Sequence, residues 1–550
     1  MTSTTLAEAA NINSGDTAWV LVCAALVLFM TPGLAFFYAG MVSRRNTLVM
    51  LQQNMVALGV ITLTWFLFGY TLAFGNDRAN GFIADFSFVA LKDIAEAPDP
   101  DLHVVTTTVA IPTLAFFAYQ MMFAIITPIL ATGAVASRLK PLGWIVFIAI
   151  WSVIVYAPVA HWLWAPAGWL TKRGAQDWAG GIVVHASAGA AALALLLVLG
   201  RRKVWPDRAP LPHSIPLVIV GAGILWFGWF GFNAGDGLQA NGVAGQALVN
   251  TQVAAAAAMV VWLVMERLRE GHATVLGGVT GAVGGLATIT PAAGYVSTWA
   301  AAVIGLLAGI ICHFALGLKN LIRVDDALDV LAVHFIGGIL GTLLVGFFGE
   351  KAINAIGRDG VFHGGGWGLL GEQVLALASV IAFAFVLSFV IALAVDKTIG
   401  LRVNPDDEEH LDATQQGMSA YTEDPVLPIP TGDAAARPVP APPAAVAGEG
   451  LYLVTAVITS AGTEGVEQEV LAAGARRAVV SEVFVTTAGP VDHMVRGQSR
   501  RVTMTPRVRV EILTPAQSLT DVQKSLSDLG DGLVEMLVLP VSDVQGPVPR

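Results

Sequence analysis

The chain has 550 residues, of which 55% are hydrophobic and only 13% charged, and its mean hydropathy is +0.68. An ordinary soluble domain carries roughly twice that charged fraction, and so long an apolar chain does not close into one soluble core, so the composition predicts a membrane protein. The net charge of −10 argues against a nucleic-acid partner, and two cysteines, Cys23 and Cys312, both inside apolar runs, supply no disulfide framework, zinc site or redox pair.

The polar, acidic start, residues 1–16, lacks the basic region of a secretory signal. Apolar stretches near the roughly 20 residues that cross a bilayer follow at 17–40, 50–74, 106–134, 142–164, 179–200, 214–236, 243–265, 272–290, 295–317, 328–348 and 370–395. Alternate connecting loops carry Arg44 and Arg45, Arg138 and Lys140, Arg201 to Lys203 with Arg208, Arg267 and Arg269, Lys319 and Arg323, and Lys397 with Arg402. The opposite set holds Arg78, Lys92, Lys172, Arg173, Lys351 and Arg358. That excess of basic residues places the N-terminus outside and the C-terminus inside. Glycines at 277, 278, 281, 284 and 285 predict close helix packing, since small residues let helices approach where lipid offers no hydrophobic drive.

One pattern occurs twice, an Asp followed eight residues later by a His: Asp177 to His185 in the fifth span and Asp326 to His334 in the tenth. Phe37-Tyr38-Ala39-Gly40 closes the first span as Phe232-Asn233-Ala234-Gly235 closes the sixth. Spans one to five therefore read as duplicated in six to ten with opposite orientation, the plan of many transporters. At 1.5 Å per residue each His would sit about 12 Å deep, from opposite faces of a core about 30 Å thick. Two histidines satisfied separately by neighbouring carbonyls are one reading. A paired role is the other, favoured by the symmetry and by the cost of polar groups at that depth. Two neutral imidazoles in an apolar tube can exchange hydrogen bonds and relay a proton, which suits a small neutral or weakly basic solute without identifying it.

Past the spans, residues 401–422 form a polar tail and 423–450 a Pro/Ala-rich linker. Residues 451–550 turn to the charge and alternation of a soluble domain. Strands are expected at 451–459, 478–487, 502–513 and 536–541 and helices at 463–473 and 515–529, a β-α-β-β-α-β order that predicts a ferredoxin-like fold. The expected architecture is thus an all-α polytopic membrane bundle of eleven transmembrane helices (an inverted 5+5 repeat plus one) over residues 1–400, followed by a soluble α+β ferredoxin-like domain.

The motifs Thr31-Pro32-Gly33-Leu34-Ala35-Phe36-Phe37-Tyr38, Asp177-Trp178-Ala179-Gly180-Gly181 through His185, Gly228-Trp229-Phe230-Gly231-Phe232-Asn233-Ala234-Gly235, Ile289-Thr290-Pro291 and Asp325-Asp326 through His334 resemble the Amt/Mep ammonium transporter family, over about residues 15–421. The resemblance implies a homotrimer in the cell membrane with one pore per subunit, no cofactor and no metal. It matches His185 and His334 to the twin pore histidines, Phe123 and Phe232 to a stacked phenyl gate, and Trp164 to the tryptophan of the outer vestibule. Aromatic faces attract a cation by about 0.5–2 kcal/mol, though a membrane tryptophan commonly serves as an interface anchor. Asp177 matches the aspartate that organises the site, a role compatible with simple helix capping. The family has a serine where this chain has Asp236, either an exposed helix-end carboxylate or a charge added to the cation site. The implied mechanism recruits ammonium at the outer mouth, deprotonates it, and passes ammonia along the histidines; potassium, which has no proton to shed, is rejected.

Residues 400–421 resemble the family's regulatory tail, with Gln416-Gly417-Met418 in place of its usual His-Gly-Glu. Residues 451–544 resemble PII signalling proteins at Leu453-Val454-Thr455-Ala456, Val480-Ser481-Glu482-Val483, Gly530-Asp531-Gly532 and Val538-Leu539-Pro540-Val541-Ser542-Asp543-Val544. The position of their T-loop, about 488–501, is short, and Leu533 stands where a phosphate-binding lysine belongs, so weak or no nucleotide binding is expected, with a small-molecule effector left open. The first functional reading is an ammonium transporter regulated by a fused PII-like domain. The rival is an ammonium sensor that binds ligand and signals through its cytoplasmic domain with little flux. An enzyme is not expected, since the chain offers no nucleophile–base set.

Overall fold

A computed structural model describes residues 12–92, 94, 111–206, 211–421, 451–458, 466–495, 498–528 and 533–541. It divides into two compact units, a helical bundle with its tail and a C-terminal sheet domain. Among the described residues, ten helices are long and apolar enough to cross a membrane. In chain order the bundle comprises α1 (Ser14–Met41), α2 (Arg44–Phe74), α3 (Thr113–Gly133), α4 (Pro141–Arg173, broken after Trp164), α5 (Gly181–Leu199), α6 (Ile215–Gly235), α7 (Gly242–Glu270), α8 (Val275–Ile289), α9 (Thr298–Ala315), α10 (Leu331–Phe348) and α11 (Gly368–Thr398).

The span expected at 272–290 is the shortfall: α8 has 15 residues, below the roughly 20 that cross a bilayer. Local chemistry sets both ends. Thr274 caps the start, its Oγ1 accepting from Gly277 N at 2.9 Å, and Pro291, which has no N–H, follows the last turn. The third span also begins later than expected, because Pro112 takes the extended conformation of an N-cap (ψ 140°) before Thr113; residues 106–110 of that expected span lie outside the described residues.

Small residues decide how closely the helices approach. Gly277, Gly281 and Gly285, one turn apart on α8, all face α7: a Cβ on Gly281 would stand 2.6 Å from the Trp262 Cβ, and one on Gly285 2.6 Å from the Ala258 Cβ. Where α6 crosses α1, a Cβ on Gly221 would lie 2.3 Å from the Phe37 backbone nitrogen. In lipid these contacts supply the packing energy that hydrophobic burial supplies in water.

The tail folds back on one end of the bundle. Its short helix α12 (Leu411–Gln416) is anchored by Asp412, whose two carboxylate oxygens accept from Leu48 N and Val49 N at 3.0 and 2.9 Å. Asn46 bridges by donating to Glu408 O at 2.7 Å and accepting from Leu411 N at 2.9 Å. Where the family's usual tail element is replaced, Gln416 ends the helix and bonds Gln52 at 3.1 Å, and Gly417 turns away at φ +64°.

The second unit contains β1 (Leu451–Ile458), α13 (Val466–Ala472), β2 (Arg477–Val495), β3 (Gln498–Pro515), α14 (Leu519–Ser527) and β4 (Leu533–Val541), with sheet order β2-β3-β1-β4. β1 pairs antiparallel with β3 and with β4, Thr455 standing between Glu511 and Leu537. Alternation along β1 turns Val454, Ala456 and Ile458 inward onto Val470, Val522 and Leu526 of the two helices. The strands expected at 478–487 and 502–513 are much longer than the pattern suggested. Most of the expected loop at 488–501 is strand, since paired backbone extends a hairpin past its apolar core; 496–497 lie outside the described residues. The helix expected at 515–529 starts as a 3₁₀ turn at Ala516–Ser518. The linker 423–450, the first residues of the helix expected at 463–473, the glycines near 530 and residues 542–550 also lie outside the described residues.

Candidate functional site

Two buried aspartates build the centre of the bundle from the backbone up. Asp177 Oδ2 accepts from Ile182 N and Val183 N, both at 2.9 Å. Asp326 accepts from Val330 N at 3.1 Å and from Leu331 N at 2.8 Å. Each thus satisfies the orphan donors of a helix start. In both cases the start is a π-helical turn, Gly181–Ala186 and Leu331–Phe335, and each turn carries the histidine, His185 and His334. Such wide turns concentrate at functional sites. The depth estimate of about 12 Å assumed eight helical residues and does not hold: residues between each aspartate and its turn are not helical, with Gly180 at φ +111° and Asp329 at φ +61°. A Cβ on Gly180 would meet the Val184 Cγ2 at 2.5 Å, so glycine is required both by its backbone conformation and by contact.

The two imidazoles nevertheless meet. Their centroids lie 5.3 Å apart at 21°, and Nδ1 faces Nδ1 at 3.3 Å. Two facing ring nitrogens bond only if one carries a proton and the other a lone pair, so the neutral pair shares one proton, and His185 Nε2 has no hydrogen-bond partner among the described residues. Small apolar cavities lie beside the pair, and His334 lines both.

On the other side of His185 stands an aromatic column. Phe232 lies 6.2 Å from His185, Phe123 4.4 Å from Phe232, and Trp164 5.6 Å from Phe123 with its plane at 83°. All three are buried. Trp164 is held by its indole N–H, which donates to Asp177 O at 3.0 Å. The end of α6 is held by three ring donors: Tyr119 to Gly231 O and Phe232 O at 3.0 and 2.9 Å, Trp178 to Asn233 O at 2.6 Å, and Trp19 to Ala234 O at 3.2 Å. Asp236 follows directly. The reading of it as an exposed helix-end carboxylate is overturned, because the residue is 2% exposed. It lies within Coulombic reach of Asp177, and no basic side chain stands within 4 Å of either carboxylate among the described residues. Asp177 Oδ1 has no donor there either. The structure therefore gathers His185, His334, Phe232, Phe123 and Trp164 into one chain of ring contacts, with Asp177 bonded at its Trp164 end and Asp236 buried at the end of the helix that carries Phe232.

The model of the "Ammonium Transporter Family" matches residues 18–421. The chain belongs to that family. The ammonium transporter of Mycobacterium tuberculosis is 44% identical over 431 residues, covering 74% of this chain and 90% of its own. The crystal structure of Saccharomyces cerevisiae Mep2 superposes with a TM-score of 0.66 at 33% identity, covering 72% of this chain and 91% of its own. A structure described as a sensor Amt protein superposes equally, with a TM-score of 0.66 at 30% identity over 73% of this chain and 98% of its own. Family membership supports ammonium transport by a multi-pass membrane protein.

Sequence reasoning missed the supports of the site. The π-turns have no signature in apolar periodicity. Tyr119, four residues before Phe123, and Trp178, next to Asp177, are donors in apolar surroundings, and a buried ring donor needs an acceptor; that was the signal available. Among the described residues no group of three or more His, Cys, Asp or Glu could hold a metal ion.

Proposed function

We propose that ammonium is recruited at the mouth formed by Trp164, Phe123, Asp236 and Asp177, gives up its proton there, and crosses as ammonia past Phe232, His185 and His334. The observation that carries this is the unbroken ring sequence from Trp164 to His334, entirely buried. Moving the bare ion through such apolar surroundings would cost several kcal/mol, whereas ammonia exchanges hydrogen bonds with two neutral imidazoles. The aromatic faces and the two unpaired carboxylates favour the charged form at the mouth only.

In this reading α8 joins the ten longer helices as an eleventh span, giving an inverted 5+5 repeat plus one with the N-terminus outside and the C-terminus inside. The subunits form a homotrimer in the cell membrane. The strand order β2-β3-β1-β4, with both helices packed on one face, supports a ferredoxin-like domain; this cytoplasmic PII-like module sets flux in response to a small effector other than a tightly held nucleotide. The sensor reading shares the fold, as the sensor Amt neighbour illustrates. Ammonium-driven uptake into proteoliposomes, measured beside calorimetric binding, separates the two: saturable uptake supports transport, and binding heat without flux overturns it.

A further inference from the structure

The two capped histidine turns differ in what binds the aspartate behind them. At the aromatic mouth, the Asp177 carbonyl accepts from Trp164 Nε1 at 3.0 Å. At the opposite turn, the Asp326 carbonyl accepts from Lys319 Nζ at 3.3 Å. Trp164 closes a run of α4 and Lys319 lies in the short helix Leu318–Leu321 after α9, so the fourth element of each half supplies the donor. Three residues beyond each aspartate the backbone is left-handed, but where one half has Gly180 the other has Asp329. A non-glycine residue costs roughly 1–2 kcal/mol in that conformation. Asp329 is kept there with its carboxylate paired to Lys319, both residues buried. Nearby, Asp325 is matched by Arg202 at 2.6 Å and Arg138 at 3.5 Å. One mouth thus presents two carboxylates with no base beside them, and the other presents carboxylates that the chain's own cations already occupy.

We infer that the Lys319 side chain is a built-in alkylammonium filling the counterpart of the cation site, so that ammonium ion binds at one mouth of the pathway and only ammonia is handled at the other. Lys319 is a specificity-determining residue, and Asp329 positions it. The pair also prevents Asp326 and Asp329 from holding ammonium formed when ammonia is reprotonated beyond the histidines, because the carboxylate of Asp329 is already paired. This inference rests on the proposed cation site at Trp164 and Asp236.

The test uses the full-length chain in detergent with radiolabelled methylammonium as probe. The unaltered chain is expected to saturate at one methylammonium per subunit; saturation at none would overturn the proposed aromatic site itself. Lys319→Ala, purified in methylammonium chloride, is expected to saturate at two, and its thermal midpoint should rise by about 5 °C as the probe reaches saturation, with sodium chloride giving no rise. Lys319→Met/Asp329→Asn removes the vacated carboxylate while asparagine tolerates the left-handed backbone, and is expected to return to one site. A Lys319→Ala chain that saturates at one, or that does not fold even in methylammonium, overturns the inference while leaving the aromatic site standing. A double variant that still binds two does the same.

Discussion

Asp177 performs two tasks through two different oxygens, and two substitutions separate them. Oδ2 holds the π-turn of His185 through two N–H bonds of 2.9 Å, while Oδ1 has no donor among the described residues and is the oxygen left to meet the cation in the proposed site. Hydrogen bonds to a charged acceptor contribute about 1.5–3 kcal/mol each, so Asp177→Ala, which strands both buried donors, costs about 3–6 kcal/mol. Set against total stabilities of about 5–15 kcal/mol, that is enough to lower the thermal midpoint sharply and to release His185 from His334. Asp177→Asn keeps an acceptor oxygen for the turn and loses the charge. It is expected to cost about 1 kcal/mol in stability, yet to raise the apparent KM for ammonium about tenfold, equivalent to about 1.4 kcal/mol of lost cation binding. Thermal unfolding in detergent and uptake into proteoliposomes read the two effects separately. A wild-type KM in Asp177→Asn would reduce the residue to a cap, and a wild-type midpoint in Asp177→Ala would refute the capping argument.

Three other outcomes are expected. His185→Ala and His334→Ala should alter conductance or ammonium selectivity while leaving the thermal midpoint near wild type, since the helices are capped by Asp177 and Asp326; a double variant with unchanged transport and selectivity removes the pair from the pathway. Asp236→Ser should weaken ammonium binding and raise maximal flux, because a buried carboxylate near the ion contributes on the order of 1–4 kcal/mol at 4 Å and also stabilises the charged form that must be deprotonated; unchanged affinity and flux would return Asp236 to a structural role. Burial alone would raise the Asp325 carboxyl, but Arg202 and then Arg138 outweigh it and hold it at about 2, below the ordinary 3.8. With the folded value below the unfolded one, this stabilisation is complete above about pH 4 and is lost as pH falls through about 2. It amounts to about 2–3 kcal/mol. Asp325→Asn should therefore flatten the fall in thermal midpoint between pH 5 and pH 2 by on the order of that amount, and an equally steep fall in the variant would contradict the pairing.

Amino-acid order by itself determined the membrane class, the helix positions and the two histidines. Apolar runs must bury in lipid, and an Asp and His repeated at one spacing inside two such runs are visible without coordinates. The same order placed β1 and the helices of the C-terminal domain, where alternation records which side faces a core. Other features depended on where distant backbone ends up. Residues 179–181 and 328–331 fall inside the apolar runs expected to be helix, yet the aspartates turn back onto the N–H groups ahead of them, and the turns open into π-helix. Phe123 and Phe232 lie more than one hundred residues apart and touch because Tyr119 ties α3 to the last carbonyls of α6. Asp236 reads as a helix-end carboxylate of the kind that faces water, and tertiary packing buries it beside Asp177. Lys319 reads as one more basic loop residue; only the fold brings its ammonium group onto the carbonyl of Asp326 and the carboxylate of Asp329. Periodicity reports which side of an element is apolar, but the partner of a buried polar group is chosen by three-dimensional proximity, and there the structure decided.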